Sequence, residues 1–342
     1  MLYRGVSSRM GIMRVGRRNV YSDNVERDFL NYQIAEFYSA MNGVLIIDKP
    51  AGMTSHDVVN RVRRILGERS VGHLGTLDPM ATGVLPLVVG NWTRLAQFYL
   101  KSEKTYEGGI RFGFSTDTYD AEGQASSSRS EIRPTLAEVR ECALRFVGNI
   151  EQTPPPFSAK KIDGVPAYKK ARKKQEVVLQ PVQVEVQEFE IVALEDDCAF
   201  FRAHVASGTY IRSIAHDMGE MLGCGAHLAS LRRTCVKEFT LAEAHSLDEV
   251  QGCGEGRWGE DMFIHPRKLL PEMPSISVTE EAVSHIRCGR TVNLPELSRA
   301  KRVKVFRGQK DLICIATRVA GTLFHPGIVF LQEEEMLART SG

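Results

Sequence analysis

Long apolar runs are missing from this chain of 342 residues. None reaches the roughly 18 residues a membrane-crossing helix needs, so no membrane partner is expected. Cysteine is sparse and unpatterned. The seven cysteines contain no CxxC pair and no regular spacing, which argues against a disulfide framework and a zinc site and for a reducing, cytoplasmic setting. There is no Walker loop and no Rossmann glycine pattern, so no nucleotide, redox cofactor or metal is expected. Charge of one sign is also lacking. A formal net charge of +2 announces no nucleic-acid partner by itself, and the distribution of the charges has to carry that question. With 43% hydrophobic and 25% charged residues, the composition is that of an ordinary globular protein with room for a large core.

What is present is concentrated between Gly72 and Gly90, GHLGTLDPMATGVLPLVVG. Pro79 fixes its own backbone and pushes Asp78 out of the helical region, while Gly75 and Gly83 permit turns or close backbone approach. Val84 to Val89 reads as a buried strand, which Pro86 demotes to an edge or bulged position. Asp-Pro is a common turn opener that usually carries no chemistry. Here Asp78 has the company of His73 and Thr76 with no second acid and no cysteine nearby. A metal site or carboxylate pair is therefore disfavoured, and a nucleophile or lone acid/base is favoured.

Elsewhere the pattern alternates strands and helices. Val44 to Ile47 is a short strand ending in a turn at Asp48 to Gly52. Thr54 or Ser55 caps a helix with Val58, Val59, Val62, Ile65 and Leu66 on one face and Gly67 at its end. Thr105 to Phe112 reads as a strand and Ser115 to Gly123 as a polar turn region. Thr135 and Glu138 form a capping box for a helix carrying Leu136, Val139, Ala143 and Phe146 and running to Gly148. Val182, Val184 and Val186 alternate with polar residues, and a second strand runs from Ala199 to Ala206. A helix follows with Ile211, Ile214, Ala215, Met218 and Leu222 as its stripe. Arg212 falls off that stripe near the N-terminal end, where a cation opposes the helix dipole; it is either a surface residue or has an anionic partner. His204, His216 and His227 have no ligand-like spacing and read as structural.

Three segments stand apart. Residues 1–40 are rich in arginine before the first acid, Asp23, a bias like that of a transit peptide, but a disordered arm or an early start is the stronger reading. Residues 150–181 carry Lys160, Lys161, Lys169, Lys170, Arg172, Lys173 and Lys174 with Phe157 and Tyr168 among them. Cations interleaved with aromatics suit RNA contact, and a solvated lysine-rich loop is the plainer alternative. Past Glu249 the composition loosens, prolines mark a boundary, and 274–342 reads as a small basic β domain. The whole is α+β, a mixed or antiparallel sheet with helices packed on it.

The segments at 43–59, 72–86, 104–108 and 207–219 resemble, in order, the signature blocks of the TruB family of tRNA pseudouridine synthases. The resemblance implies a pseudouridine synthase fold, a catalytic domain over 41–273 and a PUA-like RNA-binding domain over 274–342. It implies isomerisation of a uridine in the T-arm loop of tRNA, with the base flipped out and no cofactor, by a monomer without an obligate protein partner. Asp78, Tyr106 and Arg212 take the catalytic positions: the acid, an aromatic stacked on the base, and the cation that orients the acid. Whether Asp78 attacks the ring, attacks the anomeric carbon or deprotonates the sugar is left open. Lys49, His73, Tyr210 and Leu231 are assigned to substrate binding, and Lys160, Lys169 and Lys170 belong to an insertion that closes over RNA. Two other classes compete: a guide-RNA-dependent rRNA synthase, and a non-catalytic RNA-binding or folding module.

Overall fold

The computed structural model describes residues 41–158, 160–162, 165–167, 170, 173, 179–253, 260–295 and 298–331. The N-terminal segment 1–40 and Lys169 lie outside them. Strand β1 (Gly43–Lys49) leads into helix α1 (Ser55–Leu66), which begins on a capping box between Thr54 and Asp57 and ends at Gly67 with φ +65°. The short β2 (Val71–His73) follows, then the Asp78 loop, β3 (Thr82–Val89), a 3₁₀ segment over Gly90–Phe98 and β4 (Lys104–Phe112). Helix α2 (Leu136–Leu144) starts on the expected Thr135/Glu138 box. It stops short of Gly148, because the chain tightens at Phe146, whose N–H bonds Ala143 O, and re-extends into β5 (Gly148–Gln152). The insertion holds a two-stranded pair, β6 (Lys161–Ile162) and β7 (Val165–Pro166). Next come β8 (Val182–Glu195), β9 (Cys198–Val205), α3 (Ile211–Met221), β10 (Ala226–Val236), β11 (Phe239–Thr240) and α4 (Leu247–Gly252).

The main sheet runs β1-β3-β10-β4-β9-β8-β5, with β2 added to β3 and β11 to β10. It is antiparallel throughout except where β10 meets β3. Strands β1 and β3 are buried on both faces: Leu45, Ile47, Leu85 and Leu87 pack under Val58, Val59 and Val62 of α1, while Val44, Ile46, Val84 and Val88 face a second cluster. That two-sided burial is why these strands read as unbroken apolar runs. On the other half of the sheet, α2 and α3 cover Ile110, Phe189, Phe201 and Ala203.

Pro86 does not make β3 an edge or bulged strand, as the sequence suggests. It lies inside the sheet, opposite Ile46 of β1. The missing N–H does no harm for a geometric reason. The Pro86 carbonyl accepts from Leu74 N, so its backbone faces the side where β10 pairs only at Thr82 and Gly83 and β2 only from Leu87 onward. The proline occupies the gap between those two ladders, where no donor is required.

The C-terminal region adds β12 (Ser275–Val278), α5 (Glu280–Arg287), β13 (Val292–Asn293), β14 (Arg302–Arg307), β15 (Asp311–Ala320) and β16 (Leu323–Val329). They form a second sheet, β12-β14-β15-β16-β13, that curls into a half-barrel. Its own core is Val283, Ile286, Val303, Val305, Ile313 and Phe324. One face instead joins the first sheet, with Phe306, Ile315 and Phe330 in the same cluster as Val44, Ile46 and Trp92. Lys304, fully buried, donates to Arg267 O at 2.9 Å and to Leu269 O at 2.5 Å, fastening the connecting segment to β14.

Candidate active site

Asp78 sits in a loop clamped from three sides. Ser55, at the first turn of α1, accepts from Leu77 N at 2.8 Å and donates to Leu77 O at 3.1 Å. Lys49, fully buried at the end of β1, donates to Pro50 O, Met53 O and Pro79 O at 2.8, 2.7 and 3.1 Å. It thereby ties the turn after β1 to the loop, and burial lowers its pKa to about 8. Arg233 of β10 takes the third side, donating to Gly75 O, Thr76 O and Val84 O. Gly83 makes this approach possible: its φ is +101°, and a Cβ there would stand 2.2 Å from Arg233 O.

The carboxylate itself is partly open, with 33% of the Asp78 side chain exposed. Behind it lies Arg212, which α3 carries in from the other half of the sheet. Arg212 Nε stands 2.8 Å from Asp78 Oδ2, and Nη2 donates to Oδ1 at 3.2 Å. The side chain of Arg212 is only 5% exposed, so it is not the surface residue its position off the stripe allowed. Its remaining donors reach Thr118 O and Phe157 O, both at 3.1 Å, and Nη1 lies 3.4 Å from Asp120 Oδ2. A cation at a helix N-terminus is unfavourable by itself, and two carboxylates offset that.

Tyr106 of β4 lies directly opposite Arg233 of β10 in the sheet register. Burial raises its phenol pKa, the charge of the Arg233 guanidinium opposes the rise, and the charge of Asp78 adds to it. Tyr210 caps the start of α3, its backbone exchanging hydrogen bonds with the Gln152 side chain at 2.8 and 3.0 Å. Burial raises its phenol as well, and both Arg212 and Asp78 act on it. His73 ends β2 half-buried, its Nδ1 accepting from Gly75 N at 3.3 Å; burial, then Arg233, keeps its pKa below the usual histidine value. Leu231 borders a cleft of about 640 Å³ that Gly52, Met80, Thr82 and Glu122 also line. Lys160 and Lys170 stand on the insertion, both half-buried, apart from this loop in the chain.

Four participants escaped the sequence reading. Asp120 and Glu122 belong to the stretch read as a polar turn. Asp120 is buried against Arg212, and partial burial with the nearby Asp120 and Asp78 charges raises the Glu122 carboxyl. Asp78 thus has acidic neighbours that its own segment does not reveal. Ser55 reads only as a cap, and Arg233 receives no reading from the sequence. Among the described residues no group of three or more His, Cys, Asp or Glu side chains could hold a metal ion. His204 pairs with Glu103, His216 stacks on Tyr119 and His227 lies against Phe114, all structural contacts.

Asp78, Tyr106 and Arg212 do not line the cleft that Leu231 borders, which reaches the loop only through Met80; the arrangement holds one partly open carboxylate against a guanidinium. Comparison with known proteins places the chain. Residues 63–211 match the model of the TruB family pseudouridylate synthase N-terminal domain, and 212–261 that of the tRNA pseudouridylate synthase B C-terminal domain. The tRNA pseudouridine synthase B of Solibacter usitatus is 48% identical over 292 residues, 84% of this chain and all of that protein. That of Opitutus terrae is 47% identical over 211 residues, 62% of this chain and 88% of its own. Among solved structures, the archaeal box H/ACA sRNP Nop10-Cbf5 complex matches with a TM-score of 0.61 and 25% identity, covering 85% of this chain and 87% of that one. An H/ACA RNP bound to a substrate RNA matches at 0.62 and 22%, covering 88% of each, which speaks for the fold. The chain therefore belongs to the TruB family of pseudouridine synthases and carries their fold.

Proposed function

We propose that this enzyme converts uridine to pseudouridine in the T-arm loop of tRNA, acting without a guide RNA. The observation that carries the reading is the pairing of Asp78 with Arg212 at 2.8 Å, in a loop that leaves a third of the carboxylate side chain open. The reaction breaks the bond from N1 of the base to the sugar and makes one from C5 to the same sugar carbon. C5 gives up a proton and N1 gains one, so composition is unchanged and nothing is oxidised. The chemistry needs a carboxylate held ionised and in place, a pocket that retains the detached base, and a target nucleotide drawn out of its stack. Asp78 supplies the carboxylate, Arg212 holds it in register, and Tyr106 stacks on the base and takes part in the proton loss. Lys49 and His73 shape the loop side of the pocket, Tyr210 the helix side and Leu231 the sheet side. The basic insertion, with Lys160, Lys169 and Lys170, contacts the RNA backbone, and the C-terminal half-barrel extends the RNA surface as a PUA-like domain.

The test is direct. Purified protein is incubated with an unmodified tRNA transcript and no other RNA, and pseudouridine is mapped by position. Product at the T-arm loop uridine is expected, and Asp78→Asn should lower the rate by roughly 10³ to 10⁴-fold, the scale of a lost acid/base or nucleophilic group. Turnover surviving in Asp78→Asn removes the aspartate from the mechanism. A requirement for added guide RNA would place the chain with the guide-dependent enzymes instead.

A further inference from the structure

Among the described residues Arg233 is the largest side chain with no exposure at all. Among the described residues no carboxylate pairs with it. Its Nε, Nη1 and Nη2 donate to Val84 O, Thr76 O and Gly75 O at 2.8, 3.0 and 3.1 Å. A guanidinium has five N–H donors, so two are left after these three, one on each terminal nitrogen. Tyr106 lies directly across the ladder from Arg233, and the guanidinium acts on its phenol. A buried cation without a counter-charge is costly, and its field is not cancelled locally. Four neighbours register it: Lys49, His73 and Lys104 are pushed toward their neutral forms, and Tyr106 toward its ionised form. The charged groups acting on Tyr106 are Arg233 from β10 and Asp78 from the loop, the two acting in opposite directions.

We propose that Arg233 is a positioning residue for the proton-loss step, fixing the Tyr106 oxygen and supporting negative charge on it while its carbonyl bonds hold the Asp78 loop at the matching height. This rests on the pseudouridine synthase reading given above. When the base rejoins the sugar through C5, that carbon carries both its hydrogen and the new bond. The Tyr106 oxygen takes the C5 proton as its own phenol proton passes to water, and N1 takes a proton from solvent. Arg233 exchanges nothing. It keeps a lone pair of the oxygen aimed at the base and lowers the cost of the charge that oxygen bears. A second buried tyrosine provides an internal contrast. Tyr99 donates to Glu238 at 2.6 Å, a carboxylate in place of a guanidinium, and burial followed by that charge drives its phenol strongly up.

The experiment has two arms. In the wild-type protein, NMR of tyrosine labelled at the ring carbon bearing oxygen should find Tyr106 ionising at lower pH than Tyr99. Simultaneous ionisation, or Tyr99 first, would overturn the inference while leaving the enzyme reading intact. In the second arm, Arg233→Lys keeps a cation but loses the planar fork. Single-turnover release of the C5 hydrogen should fall about 100-fold, with the tRNA Kd within about threefold of wild type. Placing 3-fluorotyrosine, a more acidic phenol, at position 106 of this variant should restore at least about tenfold of the lost rate. A loss that the fluorinated residue does not relieve would mean Arg233 serves packing alone. Absence of pseudouridine with the unaltered protein would instead fail the underlying functional reading.

Discussion

Two buried arginines serve this site, one from a helix and one from a strand, and they are paired in opposite ways. Arg212 enters from a helix N-terminus and meets two carboxylates, Asp78 at 2.8 Å and Asp120 at 3.4 Å. Arg233 enters from the middle of a sheet and donates only to carbonyls, with Tyr106 opposite it in the register. With acids beside it, the first is spent locally: its charge fixes an anion in place. The second is not neutralised, so its charge acts on every titratable group around it. One side-chain type therefore performs two physical tasks, set by whether the fold brings it an acid.

Removing each partner should expose the difference. Arg212→Met leaves Asp78 and Asp120 facing one another with no cation between them. Losing one member of a buried ion pair typically costs about 3–5 kcal/mol, and urea unfolding should read a loss of that order together with a collapse in rate. A loss below about 1 kcal/mol would mean water replaces the guanidinium and the two arginines are not so unlike. Smaller is the effect expected on the Arg233 side when its backbone, not its side chain, is displaced. Gly83→Ala places a Cβ 2.2 Å from Arg233 O at φ +101°, and the obstacle is backbone that cannot swing aside. The left-handed strain alone costs on the order of 1–3 kcal/mol. β3 must part from β10 where they pair, so catalysis should fall further than stability explains. Unchanged activity would show that the Arg233 contacts tolerate a shift of that size.

The part of this site written locally was legible, and the part written across the fold was not. Asp-Pro, the glycines and the Thr54 cap act within a few residues, so the loop and α1 follow from the sequence alone. Family resemblance assigns the catalytic positions to Asp78, Tyr106 and Arg212. Arg233 has no such local sign. Its carbonyl partners lie 149 to 158 residues earlier, and only the folded sheet brings them under it. β10 itself was missed. Leu228 and Leu231 are spaced like a helical face, and polar residues surround them, yet the strand lies at the centre of the sheet with Arg233 turned inward. Asp120 was read as a turn residue because its purpose, to share Arg212, depends on a helix 94 residues away from Thr118, whose carbonyl binds the same guanidinium.

The smallest effect gives the sharpest comparison, because it reads the field of one arginine and not the other. His73 is held below the ordinary histidine value of 6.5 by burial first and by Arg233 second. NMR titration of its ring should place the midpoint below 6.5 in the wild type. In Arg233→Gln the midpoint should rise yet stay short of the free value, since burial remains; in Arg212→Met it should not move. The sign for stability follows. A histidine kept neutral in the folded state stabilises it above the unfolded value, and that contribution is lost as pH falls below 6.5, where the unfolded chain takes up a proton the native one refuses. The acid-side slope of stability should therefore flatten in Arg233→Gln and persist in Arg212→Met. A His73 midpoint that answers to Arg212 more than to Arg233 would mean that the charge of Arg212 is not contained by its two acids, and the division of labour between the arginines would fail.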